Sequence, residues 1–310
     1  MIGRPSGYLA CVGGRGLLLG IAILLLAAAP AAASKVIYLC GDDLCRVEAD
    51  GSGKKRLTRD GSKPYRGLPS APYEGISASR DGRRLVFHRA GDTWLADSSA
   101  RNRRELKFAE SGFGLHPDGN TFASFVATPG YRAHRLCRGT LSPLRQSCHA
   151  IRTNDRSYAA WGPDRTLVST HADTRGDICV TDWRKDPPRC TRTLARAGQG
   201  ETFFGSPSLS PDERQLATTL DLPGGSELTA IAVFDVRTAR RVRLLTSGAE
   251  YDTRPRWSPD GRQVLFTRWV PPSPGRTGAY SIVRVPAGGG KARVVVPRAN
   301  ESETDIVWVR

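Results

Sequence analysis

The sequence predicts an all-β chain, a six-bladed β-propeller of four-stranded antiparallel blades closed by N-terminal strands pairing with the C-terminal strand. Three observations carry the prediction: a composition suited to turns and short strands, a hairpin motif that recurs at near-constant spacing, and complementary partial repeats at the two ends. The 310 residues include 33 Gly and 21 Pro against a single Met, and helix interiors exclude Pro and are weakened by Gly. With 39% hydrophobic and 25% charged residues the chain reads as globular, neither polytopic in a membrane nor wholly disordered.

The recurring motif is Ser79-Arg80-Asp81-Gly82, His116-Pro117-Asp118-Gly119, Gly162-Pro163-Asp164-Arg165, Ser210-Pro211-Asp212-Glu213 and Ser258-Pro259-Asp260-Gly261, at spacings of 37, 46, 48 and 48. Pro presets φ for the first corner of a type I turn, Asp bonds back to the backbone, and Gly accepts the left-handed closing conformation, so each is a hairpin tip. Two residues before each tip stands Ala78, Leu115, Trp161, Leu209 or Trp257, and apolar runs such as Leu85-Val86-Phe87 and Val264-Leu265-Phe266 follow. A third strand comes next (Thr93-Trp94-Leu95, Ile231 to Phe234, Ser281-Ile282-Val283), then a turn and a fourth, as in Arg293 to Val296. Four strands in about 45 residues is the size of a propeller blade.

The ends supply the remaining pieces. Val36 to Leu39, Leu44 to Val47 and Lys55 to Leu57 are outer strands with no inner strand before them, whereas Asp305 to Val309 resembles an inner strand with nothing after it. Joined, they close the ring and remove its open edge. A pair of β-sandwiches accounts for the short strands but not for these complementary ends.

Residues 1–33 read as a signal peptide and 34–310 as a single propeller domain. Arg4 and Arg15 precede an apolar stretch from Leu17 to Ala29, followed by Ala31-Ala32-Ala33, an A-x-A cleavage pattern. The stretch is short for a spanning helix, which needs about 20 residues; retained uncleaved, it would be the chain's sole membrane anchor. Cys11 leaves with the peptide. The other six, Cys40, Cys45, Cys137, Cys148, Cys179 and Cys190, suit disulfides in a periplasmic or secreted protein. Cys137 to Cys148 and Cys179 to Cys190 are both 11 apart, 42 residues from each other, and Cys40 and Cys45 fit a tight hairpin clip. Local pairing is the simplest of the possible connectivities, and none of the spacings matches a zinc knuckle.

The stretches Leu244-Leu245-Thr246-Ser247-Gly248 through Arg256-Trp257-Ser258-Pro259-Asp260-Gly261, and Arg56-Leu57-Thr58 through Ser79-Arg80-Asp81-Gly82, resemble the repeats of TolB-like, WD-type propellers. The resemblance spans nearly all of the mature chain. It implies a propeller fold and, more weakly, a periplasmic binding role, since similar blades also serve peptidases and lyases. TolB proper carries an α/β domain before its propeller. Here the first strand starts beside the expected cleavage site, so that domain is not expected, nor is a Tol-Pal role carried over.

Catalytic signatures are sparse. Gly224-Gly225-Ser226-Glu227-Leu228 lacks the last Gly of a nucleophile elbow, and paired cysteines leave no thiol nucleophile. His88, His116, His134, His149 and His171 have no helix-spaced pairs, although related lyases gather His ligands from separate blades around a metal. Asp42, Asp43 and Asp50 do not follow the alternation of a calcium loop, and Gly288-Gly289-Gly290-Lys291 is a hairpin turn, not a phosphate cradle. No cofactor or metal is expected.

Without the signal segment the formal charge is about +14, dominated by Arg, which draws in anionic partners. The expected partners are a protein or an anionic envelope polymer, with no specific nucleic acid. Loops from Arg59 to Gly75, Thr128 to His134, Gly200 to Ser206, Ala249 to Arg254 and Trp269 to Tyr280 gather on one face. They supply candidate contacts of types enriched in interface anchors: Tyr65, Tyr73, Tyr131, Arg132, Phe203, Phe204, Tyr251, Arg254, Trp269 and Arg276. Arg254 and Asp305, each three residues before a Trp, are placed to pair with each other. The function expected is therefore non-catalytic binding or scaffolding. The alternative is a metal-assisted lyase or hydrolase of an anionic polysaccharide at the channel.

Overall fold

The structure, a computed structural model, describes residues 34–79, 81–106, 111–116, 118–127, 134–151, 160–161, 167–170, 176–182, 189–223, 229–300 and 305–309. The expected signal segment and the tip at 162–165 lie outside these residues. Among the described residues there are strands and turns and no helix.

The chain opens with β1 (Lys35–Cys40), β2 (Asp43–Glu48) and the two-residue β3 (Lys55–Arg56). Four-strand repeats follow. The first is β4 (Tyr73–Ala78), β5 (Arg84–Arg89), β6 (Asp92–Asp97) and β7 (Arg104–Leu106); the second is β8 (Ser111–Leu115), β9 (Thr121–Ala127), β10 (His134–Leu141) and β11 (Leu144–Ile151). The third is β12 (Ala160–Trp161), β13 (Leu167–Thr170), β14 (Ile178–Asp182) and β15 (Arg189–Ala195). The fourth is β16 (Thr202–Leu209), β17 (Gln215–Asp221), β18 (Thr229–Asp235) and β19 (Arg240–Leu244). The fifth is β20 (Asp252–Trp257), β21 (Gln263–Val270), β22 (Ala279–Pro286) and β23 (Arg293–Asn300), and β24 (Ile306–Val309) ends the chain.

The expectation of six blades is corrected: the propeller arrangement has five, each an antiparallel sheet of four strands consecutive in the chain. The remaining sheet, ordered β24-β1-β2-β3, is not such a repeat. It is a clasp made from both chain ends, and its last strand pairs through only Cys45↔Arg56 and Arg46↔Lys55. In the clasp Val36 stands opposite Trp308 and Tyr38 opposite Ile306.

The tips show why Ser recurs at their first position. Ser79 Oγ donates to Asp81 at 2.6 Å and accepts the Arg84 N–H at 3.0 Å. Ser210 with Asp212 and Gln215, and Ser258 with Asp260 and Gln263, repeat both bonds. One hydroxyl thus ties the aspartate of the turn to the strand leaving it, satisfying a backbone donor that the ladder does not reach.

The cores are layers between neighbouring sheets. Tyr38, Val47 and Trp308 of the clasp pack with Leu265, Ile282 and Val296 on one side, and Ile37, Leu44 and Val307 pack with Leu85 and Phe87 on the other. Where both faces of a sheet are buried, as in the clasp and in the fourth and fifth blades, this explains the continuous apolar runs. The three disulfides are the local ones, Cys40–Cys45 across β1–β2, Cys137–Cys148 across β10–β11 and Cys179–Cys190 across β14–β15. They accord with an oxidising, extracytoplasmic compartment.

Candidate functional site at the meeting of the chain ends

A cavity of about 980 Å³ opens where the inner strands of the clasp and its two neighbours begin, the end of the sheets opposite the Ser-Asp tips. Its lining comes from Gly41 and Asp42 after β1, from Tyr73, Glu74 and Gly75 at the start of β4, from Arg254 in β20, from Arg298 and Asn300 in β23, and from Asp305.

Asp305 bolts three sheets together. Its Oδ1 accepts from Arg254 Nη1, and its Oδ2 accepts the Ile76 N–H at 3.3 Å. Arg254 reaches it from a bulge: the β20–β21 register shifts between Thr253 and Arg256, and Arg254 takes φ 56°. In two other blades the corresponding inner-strand bulge is taken by glycine, Gly75 at φ 51° and Gly205 at φ 73°. A side chain in this left-handed region costs roughly 1 kcal/mol or more, and such positions concentrate at binding sites. Arg298 is a second case, at φ 47°, its amide donating to Ser281 Oγ at 3.0 Å and its guanidinium to the Thr277 carbonyl.

Gly75 keeps space at the cavity wall: a Cβ there would lie 3.0 Å from His88 Cδ2 and 3.6 Å from Asp305 Oδ2. His88, behind it, has Nδ1 3.1 Å from Thr93 Oγ1. Burial holds the His88 imidazole below the ordinary histidine range, with the Asp305 charge acting weakly the other way. The Asp42 and Glu74 side chains are exposed at the opening and make no ion pair among the described residues.

Among the described residues the sequence-predicted contacts have different surroundings. Tyr73 and Arg254 line the cavity. Tyr73 is also an internal strut: its hydroxyl donates to Asp60 at 2.8 Å and accepts from Arg103 at 2.6 Å, and the buried Arg89 joins the same carboxylate at 3.0 Å. Opposed by burial, these partners still hold Asp60 below the usual carboxylate range, while burial chiefly pushes the Tyr73 hydroxyl well up. Tyr65 belongs to this frame, with Arg89 stacked 4.5 Å from its ring centroid and its hydroxyl on Asp92 at 2.9 Å. Tyr251 and Trp269 both pack on Tyr280, at centroid distances of 6.5 and 5.0 Å. Phe203 lies edge-on to Phe234 at 5.4 Å, and Arg276 is exposed in a turn closed by mutual bonds with Ser273. Tyr131 and Arg132 lie outside the described residues, as does the side chain of Phe204 in β16. Part of the expected loop sequence is strand: β16 begins at Thr202 and β21 runs through Trp269.

Glu74, Arg298 and Asn300 were not singled out by sequence. Arg254 was, as a candidate contact and through its place three residues before Trp257. Among the described residues no three of His, Cys, Asp and Glu are grouped to hold a metal ion; His171 and the side chains of His134 and His149 are not among them.

No family model matches the chain. Among solved structures, it is similar to a protein of Agrobacterium tumefaciens assigned as TolB, with a TM-score of 0.59 and 16% identity over 85% of this chain and 88% of that one. It is similar to an oligogalacturonate lyase from Vibrio parahaemolyticus (TM-score 0.51, 12% identity, 81% of this chain and 70% of that one). A further oligogalacturonate lyase, in complex with manganese, gives a TM-score of 0.50 at 15% identity over 84% of this chain and 74% of that one. At these identities the likeness establishes the fold alone, and that fold is a TolB-like β-propeller.

Proposed function

We propose that this chain is an exported, non-catalytic binding propeller that seats a segment of a protein partner in the cavity where its ends meet. The observation that carries the reading is the cavity itself: about 980 Å³, at the upper end of the range for ligand sites, and built on strained, paired side chains of rigid strands. Of its two lining cations Arg254 is already matched by Asp305 and Arg298 donates to the Thr277 carbonyl, while the carboxylates of Asp42 and Glu74 at the opening leave the lining one negative charge in excess. A protein segment bearing basic residues fits that charge better than an anionic polymer does. Crosslinking of the purified chain in envelope extract, followed by mass spectrometry, tests this. Capture of a partner is expected to be lost in Asp42→Arg/Glu74→Arg and kept in Arg276→Ala; capture retained by the cavity variant would overturn the reading.

A second reading, a metal-assisted lyase or hydrolase of an anionic polysaccharide, draws on the fold shared with the oligogalacturonate lyases, one of them a manganese complex. The described residues do not fit it: they offer no ligand trio, and the carboxylates at the opening repel a polyuronate. New ultraviolet absorbance from polygalacturonate incubated with the protein and manganese would favour this alternative.

A further inference from the structure

Every outermost strand except β7, where Glu105 offsets Arg104, carries net positive charge. Together β3, β7, β11, β15, β19 and β23 hold eleven Lys and Arg and a single carboxylate, Glu105. Charged side chains on exposed edges guard against edge-to-edge pairing, but guarding requires no particular sign. The predominance of one sign therefore needs a further account.

The edges of β19 and β23, in neighbouring blades, provide one. They are joined where Arg243 of β19 donates to the Ala287 carbonyl at 2.6 Å, in the turn that leads through Lys291 to β23. Arg240, Lys291 and Arg293 are exposed and have no carboxylate partner among the described residues. Of the five large apolar side chains exposed among the described residues, three stand on these same strands: Val242 at 44%, Leu244 at 40% and Val294 at 57%. Val242 is put there by a bulge, since Val233 pairs with Arg243 and Phe234 with Arg241, leaving it without a cross-strand partner.

Apolar side chains serve no purpose on an edge meant only to repel other strands, and a soluble polyanion does not need them. Cations interleaved with exposed apolar groups match an anionic lipid surface, where the cations meet headgroups and the apolar groups reach the acyl boundary. We propose that the β19–β23 edge is a docking surface for an anionic membrane leaflet, a role separate from the cavity.

Cosedimentation of the full chain with vesicles of phosphatidylglycerol and phosphatidylcholine, set against phosphatidylcholine alone, tests the proposal. Any contribution of the apolar Leu17 to Ala29 stretch is common to all variants and to both vesicle types. Arg240→Glu/Lys291→Glu/Arg293→Glu is expected to lower the phosphatidylglycerol-dependent binding by more than about 100-fold, each cation near the surface being worth roughly five-fold. Lys63→Glu/Arg83→Glu/Arg101→Glu, with the same change in net charge at exposed sites around the first blade, is expected to lower it less than about five-fold. Val242→Ser/Val294→Ser is expected to weaken it about ten-fold through lost apolar burial. Equal losses in the two charge-reversed variants would overturn the proposal in favour of non-specific charge. An unchanged Val242→Ser/Val294→Ser variant, with dextran sulfate bound as tightly as the vesicles, would overturn it in favour of a soluble polymer.

Discussion

Arginine plays opposite parts at the cavity end of the propeller and on its outer edge. At the cavity end most guanidinium groups are committed to carboxylates: Arg268 forms a bidentate pair with Asp252 at 2.7 and 2.9 Å and reaches Glu250 at 2.6 Å, Arg254 holds Asp305, and Arg89 holds Asp60, while Arg298 donates to the Thr277 carbonyl. On the outer strands Arg240 and Arg293 face solvent without a carboxylate. Among the described residues the outer strands thus carry exposed cations without a carboxylate, whereas the site where the chain ends meet is close to balanced or acidic. Net charge alone predicts an anionic partner without saying which surface would meet it.

The largest effect that would sharpen this contrast is expected at Asp252, which is fully buried. Burial pushes its carboxyl up, opposed chiefly by Arg268. Asp252→Ala removes the buried acceptor and leaves Arg268 with Glu250 alone, a loss of about 3 kcal/mol by urea unfolding. Asp305→Ala breaks the bolt between three sheets. Because that pair is partly exposed, with Arg254 at 32% and Asp305 at 19%, the expected cost is smaller, about 2 kcal/mol. Losses below about 0.5 kcal/mol for both would show that the pairs at the cavity end are as dispensable as edge charges.

Backbone conformation gives the next test. Arg254 occupies a left-handed bulge that Gly75 and Gly205 occupy elsewhere. Both Arg254→Gly and Arg254→Ala remove the ion pair, but only Ala keeps the steric penalty, so the Gly variant is expected to be more stable by about 1 kcal/mol. Equal stabilities would mean that the bulge carries no strain. Gly75→Ala, which adds a Cβ against His88, is expected to cost about 1 to 2 kcal/mol.

His88 extends the comparison to pH. Burial holds its pKa in the folded protein below the ordinary histidine value of about 6.5, so the unfolded chain binds its proton first as the solution is acidified. The stability arising from neutral His88 is therefore complete above about pH 6.5 and is lost as pH falls through the folded value. The fall in Tm between pH 7.5 and pH 5.5 is expected to be smaller in His88→Gln than in the natural chain, whereas an identical fall would place the sensitive group elsewhere. Asp118, lowered to about 2 by bonds at its turn, chiefly from the Thr121 and Asn120 amides against burial, stays ionised throughout this range.

Much of the architecture was legible because it rests on local chemistry repeated along the chain. The tip residues announce a turn wherever they occur, the cysteine pairs close short loops, and the unmatched strands at Val36 and Ile306 had to find each other. Arg254 and Asp305 were readable as a pair because both stand three residues before a Trp. The blade count was misjudged, because residue spacing treats the clasp as one more repeat although it is made from two separated ends and a two-residue strand. The cavity was less legible. Its walls come from positions as distant as Asp42 and Asp305, and pattern along the chain carries no record of which turns share a rim. Tyr65 and Tyr73 have the residue type of interface anchors, but the same aromatic face and hydroxyl also suit the internal Asp60, Arg89 and Arg103 frame. Composition could count the 39 arginines, but only strand order shows that ten of them stand on the outermost strands.

The smallest effect is expected on that edge. Arg240→Ala and Arg293→Ala remove exposed charges with no carboxylate partner among the described residues, so each is expected to change unfolding stability by less than about 0.5 kcal/mol. If the edge instead guards the outer strands against intermolecular pairing, the double variant will gather into larger species in a concentration-dependent way, detectable by light scattering before any loss of stability. A double variant that remains monodisperse, unfolds like the natural chain and loses affinity for anionic vesicles would separate recognition from protection, leaving the edge charges with a role in contact rather than in folding.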